Sequence, residues 1–287
     1  MSRIAYVNGR YVPHGAAAVH VEDRGFQFAD GVYEVWAVLD GKLCDSEGHL
    51  ARLERSLGEL RLTPPMERAA LLAVVRETVR RNRVRDGICY LQITRGQARR
   101  DHVFPAEGTP PSLILTAKGW DQAAADAKAR AGGAVITVPE SRWARCDIKT
   151  VSLLPNVLAK QSAKEAGAVE AWFVDRDGHV TEGGSTNAWI VDAEGRLRTR
   201  DTQANILRGI TRHTLIDVAR EAQFAVDERP FTVDEARGAR EAFITAASAF
   251  VLPIVRIDGQ PIGDGKPGPV ALRLRDLYLD NARRTAV

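Results

Sequence analysis

The chain has 287 residues, 45% of them hydrophobic and 27% charged, which excludes collagen-like, disordered and disulfide-scaffold classes and sets an expectation of about two domains. Forty Lys+Arg against 37 Asp+Glu give a net charge of +3, too small to argue for a nucleic-acid surface. No apolar run reaches about 18 residues and the N-terminal MSRIAYVNGRYV lacks a signal-peptide pattern, so a cytoplasmic protein with no membrane contact is expected.

In chain order, Ala5-Tyr6-Val7 and Arg10-Tyr11-Val12 flank Asn8-Gly9, a pair suited to the positive φ angles of a hairpin turn. Residues Val32–Leu39, Asp40-Gly41 and Lys42–Cys44 spell a second hairpin. Leu50, Leu53, Leu57 and Leu60 recur at helical spacing and predict a helix over His49–Arg61. Leu71, Leu72, Val75 and Val79 predict another over Glu67–Asn82, and strand-like runs follow at Ile88–Thr94 and Ser112–Ala117. The weakly periodic stretch after Lys118 reads as a linker over 119–125, between a domain of residues 1–118 and one of 126–287. Beyond it, strands are predicted at Ala134–Val138, Glu170–Val174, His179–Thr181, Asn187–Val191 and Glu241–Thr245. Helices are predicted at Val157–Ala166, Ile210–Ala222 and Leu272–Arg284, with a hairpin around Asp258-Gly259. Mixed strands and helices in two blocks make the fold class α+β with two domains.

Cys44, Cys89 and Cys146 form neither a disulfide framework nor a zinc spacing, and no histidine pair has metal-ligand spacing, so no metal is expected. Only seven of the 40 basic residues are lysines. Among them Lys149 lies between Ile148, Val151 and Leu153, where an amine with depressed pKa could act as a nucleophile. The same surroundings suit a lysine that snorkels at a loop edge. In Thr181-Glu182-Gly183-Gly184-Ser185-Thr186-Asn187, Glu182 fits either a turn or the anionic partner of a pyridine nitrogen, with glycines allowing close approach. Ile206-Leu207-Arg208-Gly209-Ile210-Thr211 runs into a predicted helix whose free N–H groups would seat a phosphate, though many ordinary helices begin this way.

Together these segments resemble the fold-type IV aminotransferases, which use pyridoxal 5′-phosphate at the interface of two domains. The resemblance includes Glu22–Glu34 near the start, His49-Leu-Ala-Arg52 in the first long helix and Ile257-Asp258-Gly259 near the end. It implies that Lys149 carries the cofactor as a Schiff base and later moves a proton, and that Glu182 partners the ring nitrogen. It further implies that Arg52, Gly209, Ile210 and Thr211 hold phosphate and that Leu207 packs against the ring. Ala246-Ala247-Ser248 carries fewer hydroxyls than related enzymes offer the phosphate, leaving Ser248 or water as substitutes.

Within that family, Arg100 and His102 resemble the carboxylate trap of D-amino acid aminotransferases, with Tyr33 in register as its tyrosine. In those enzymes the pair reaches the site from the other subunit of a homodimer. The basic segment Arg95–His102 would read equally as a solvated loop. The implied reaction is ping-pong transfer of the amino group of a D-amino acid, such as D-alanine or D-glutamate, to a 2-oxo acid. An aminodeoxychorismate lyase, a branched-chain or an (R)-amine transaminase on the same fold are alternatives. A non-catalytic, RNA-binding protein is a further one, unsupported by charge or by aromatic–basic interleaving.

Overall fold

The computed structural model describes residues 3–203 and 206–287. The chain divides into two compact units: one of Met1–Asp121, Ile148–Ser152 and Thr285–Val287, the other of Gln122–Asp147 and Leu153–Arg284.

The first unit is a six-stranded antiparallel sheet with two long helices. Its strands are β1 (Ile4–Val7), β2 (Arg10–Pro13), β3 (Gly31–Leu39), β4 (Lys42–Leu43), β5 (Gly87–Thr94) and β6 (Ser112–Gly119), in the order β2-β1-β6-β5-β3-β4. The first hairpin closes on Asn8 at φ 45° and Gly9 at φ 89°, as an Asn-Gly turn requires. Alternation along β3 and β5 sends Val32, Trp36, Val38, Cys89, Leu91 and Ile93 into the core. There they meet Leu50, Leu53 and Leu57 of α2 (Ser46–Glu59) and Leu71, Val75 and Val79 of α3 (Arg68–Arg81). A short helix, α1 (Arg24–Phe28), precedes β3; Asp23 caps it by accepting from the N–H groups of Gly25 and Phe26.

The second unit is built on a nine-stranded mixed sheet of β7 (Gly133–Pro139), β8 (Glu170–Val174), β9 (Val180–Gly183), β10 (Asn187–Val191), β11 (Leu197–Thr199), β12 (Val226–Glu228), β13 (Glu241–Ala246), β14 (Phe250–Ile257) and β15 (Gln260–Pro261). Its order is β12-β11-β10-β13-β14-β7-β8-β9, with β15 paired to β14. The helices are α4 (Gln122–Ala131), α5 (Leu154–Glu165), α6 (Ile210–Glu221), α7 (Val233–Arg237) and α8 (Pro269–Thr285).

Three readings of the sequence change here. Residues 122–125, expected to close the linker, instead open α4: the alanines that blur its periodicity are the strongest helix formers. Glu182 lies within β9 instead of in a turn beyond it. Lys149, expected with the second block, belongs to the first unit, where Tyr33 N–H donates to the Lys149 carbonyl at 3.0 Å and Val151 N–H to that of Gly31 at 3.1 Å. Those bonds extend the pairing of β3, a long-range event that local patterning does not encode. Among the described residues, no helix is long and apolar enough to cross a membrane.

Candidate active site

In the first unit, the chemistry gathers on β3. Tyr33 and Glu34 are neighbours on that strand, so their side chains leave opposite faces of the sheet. Tyr33 is half-buried beside Tyr90, ring centroids 5.7 Å apart, and the Lys149 ammonium nitrogen sits 4.3 Å from the Tyr33 ring centroid. This geometry allows a cation–π contact.

Glu34 points the other way, into the core at a register position otherwise held by Val32 and Trp36. It is fully buried and meets two residues of α2 that lie three apart on one helix face. His49 Nδ1 lies 2.7 Å from Glu34 Oε2, and Arg52 donates from Nε and Nη2 to Oε1 and Oε2 at 2.7 and 2.8 Å. Burial pushes the Glu34 carboxyl upward, but the Arg52 charge and hydrogen bonds outweigh it and hold the group well below the usual carboxylate range. For His49 burial wins, and its pKa is lowered despite Glu34.

Arg100 and His102 are exposed in the loop after β5. The loop is tied to α1: Arg24 Nη1 donates to the Asp101 carbonyl at 2.6 Å, and Arg100 lies over the Phe28 ring, 4.8 Å from its centroid. His102 also packs on Phe28 at 5.5 Å. Arg24 itself is held by Asp30 at 2.9 Å.

The second unit assembles around Glu182, 4% exposed. Its Oε1 accepts from Arg142 Nη1 and its Oε2 from Asn187 Nδ2 at 3.0 Å. Leu207 N–H donates to both oxygens at 3.1 and 3.2 Å. Asn187 Nδ2 also donates to the Leu207 carbonyl at 3.1 Å, so one amide fixes Glu182 and the segment entering α6 together. Gly209 is the N-cap of α6 and offers no side-chain cap to the first-turn N–H groups. A Cβ at Gly209 would lie 1.9 Å from Asn187 Oδ1, so the close approach of this turn depends on glycine. Ile210 and Thr211 open the helix, with Thr211 3% exposed. Ser248 is exposed in the turn between β13 and β14; the neighbouring hydroxyl of Thr245 accepts from Trp189 Nε1 at 3.0 Å. Cys146 is buried, its thiol pushed up to about 11 by burial despite the lowering effect of Arg142, so it is a poor nucleophile.

Sequence reading did not single out Glu34, Arg142 or Asn187. For Glu34 a signal existed, since a carboxylate at a core register of a strand needs a buried partner. Arg142 reaches Glu182 across 40 residues and Asn187 reaches Leu207 across 20, beyond any local pattern, although Asn187 stands only five residues from Glu182.

Residues 31–257 match the family described as amino-transferase class IV. A D-alanine aminotransferase of Bacillus licheniformis is 41% identical over 92% of this chain and 91% of its own length. One from Listeria innocua is 39% identical over 97% and 96%. Among solved structures, a branched-chain amino acid aminotransferase from T.th. with pyridoxamine 5′-phosphate superposes with a TM-score of 0.89 at 30% identity, covering 98% of this chain and 94% of that one. The branched-chain enzyme of Escherichia coli shares the fold, with a TM-score of 0.86 at 23% identity and coverage of 98% and 95%.

Proposed function

The chain belongs to the class IV aminotransferase family, and from that premise we propose that it transfers the amino group of D-amino acids, such as D-alanine and D-glutamate, to a 2-oxo acid, using pyridoxal 5′-phosphate. What carries this reading is the identity of about 40% with D-alanine aminotransferases along almost the whole chain.

The donor set suits the cofactor. Lys149 provides an amine, Arg52 an anchored guanidinium, Glu182 a carboxylate fixed by three partners, and α6 a start with no side-chain cap and a buried hydroxyl. When bound, the cofactor supplies a protonated pyridine ring that accepts the electron pair left at the substrate Cα. Lys149 would hold the cofactor through its amine, and the same Nζ would serve as the general base that takes a proton from the substrate and the acid that gives it back. Glu182 would be the anionic partner of the ring nitrogen, and Leu207 would pack beside the ring. Arg52 would offer the phosphate the charge of its guanidinium, and Gly209, Ile210 and Thr211 would offer it helix-terminal N–H groups and a hydroxyl. Ser248 is a further hydroxyl for the phosphate. Tyr33, Arg100 and His102 bind and orient the substrate carboxylate, the last two from the second subunit of a homodimer. Turnover is ping-pong, and the protein is cytoplasmic.

The structural likeness to branched-chain aminotransferases supports a second reading, L-leucine transamination. A panel of D-alanine, L-leucine and an (R)-amine, each with 2-oxoglutarate, separates the two. D-Alanine is expected to be the good donor, and turnover of L-leucine alone would overturn the assignment. Lys149→Ala is expected to abolish the borohydride-reducible linkage and to lower turnover by at least about a thousandfold. Normal turnover in that variant would remove Lys149 from the mechanism.

A further inference from the structure

Arg142, 5% exposed, serves two carboxylates. Its Nε and Nη2 donate to Glu140 Oε1 and Oε2 at 2.9 and 2.7 Å, while Nη1 turns to Glu182. The Glu140 end is itself fixed, since its Oε1 accepts from the Arg142 backbone N–H at 3.0 Å and its Oε2 from Thr181 Oγ1 at 2.8 Å. The guanidinium lies over the Phe173 ring, 4.5 Å from its centroid.

Charge and geometry give Glu140 a purpose. A lone Arg142–Glu182 pair would be neutral, and a cation brought to Glu182 would face a guanidinium whose charge nothing else offsets. With Glu140 on the bidentate edge of Arg142, the three side chains carry one net negative charge. The same bidentate contact fixes the plane of the guanidinium and so the direction in which Nη1 presents itself to Glu182.

We propose that Glu140 is a positioning residue: by holding Arg142 it orients Glu182 and leaves it the negative charge that a protonated pyridine nitrogen requires. This rests on the reading of Glu182 as the partner of that nitrogen. Glu140 touches neither cofactor nor substrate in this scheme and acts through Arg142.

The test compares two ligands on the full-length, cofactor-free protein: pyridoxal 5′-phosphate and its analogue with carbon in place of the ring nitrogen. Glu140→Gln is expected to weaken binding of the natural cofactor about tenfold, one pKa unit's worth of discrimination, and to change binding of the carbon analogue less than about twofold. Glu140→Asp, which keeps the charge, is expected to restore most of the difference. Equal weakening for both ligands, or none for either, would overturn the proposal. If Glu140→Gln alone does not fold, Arg142→Gln extends the comparison: with the cation gone, the further exchange of Glu140 for Gln must no longer alter the ratio of the two affinities, and a persisting effect overturns the proposal. A wild-type protein that forms no borohydride-reducible linkage with pyridoxal 5′-phosphate would instead defeat the underlying reading of the site.

Discussion

Arg52 donates through Nε and Nη2 to the two carboxylate oxygens of Glu34, and neither side chain of the pair is more than 8% exposed. The guanidinium is therefore oriented by the protein itself before any ligand arrives. Preorganisation of this kind lowers the cost of ordering a long side chain when ligand arrives.

Truncating Glu34 to Ala strands a buried guanidinium, and breaking a buried pair in this way costs about 3–5 kcal/mol. Urea unfolding of cofactor-free Glu34→Ala should show a loss of that size, with Glu34→Gln losing less because its amide oxygen still accepts. A loss below about 1 kcal/mol, the range of exposed pairs, would mean that the pair does not hold α2 to β3.

The same cluster sets a pH dependence. The Glu34 carboxyl is depressed in the fold from an ordinary 4.5, so its stabilisation is complete above pH 4.5 and is lost as pH falls toward the lowered value. His49 is depressed from 6.5, mainly by burial, so below pH 6.5 the unfolded chain binds a proton that the folded chain resists. Both effects make acid destabilising, but His49 acts first. Replacing His49 by Gln, which retains a donor for Glu34, should flatten the decline in unfolding free energy that begins as pH falls below 6.5 and leave the loss that begins below 4.5. An unchanged slope in the upper window would show that another group titrates there.

Much of this was legible locally. Hairpins at Asn8-Gly9 and Asp258-Gly259, the leucine spacing of α2, and the glycine before α6 are short-range signals, and each marks an element of the fold. Lys149 and Glu182 stood out because their neighbours suited the chemistry of a pyridine cofactor. The surroundings of these residues could not be read in the same way. Glu34 meets Arg52 only because β3 and α2 pack face to face, and Arg142 reaches Glu182 across 40 residues of sequence. Pairings of this range are set by tertiary packing: a carboxylate at a core register, as at Glu34, signals that it needs a partner, but local spacing does not say which.

Gly209 and Asn187 offer the sharpest test of local design in the second unit. Gly209 has φ −61° and ψ 131°, angles that alanine adopts freely, so Gly209→Ala adds no backbone strain. Its new methyl would instead lie 1.9 Å from Asn187 Oδ1. Asn187 has little room to retreat: its backbone pairs with Thr245 in the sheet, and its Nδ2 is committed to Glu182 and to the Leu207 carbonyl. Gly209→Ala should therefore cost about 1–3 kcal/mol, as overpacking does. Asn187→Ala should cost about 1.5–3 kcal/mol, since it removes a hydrogen bond to a buried carboxylate. The double variant should cost clearly less than the sum, because deleting the Asn187 side chain makes the room that the methyl needs; a coupling of about 1–2 kcal/mol is expected from denaturant unfolding of all four proteins. Additivity within about 0.5 kcal/mol would mean that the methyl meets something other than Asn187.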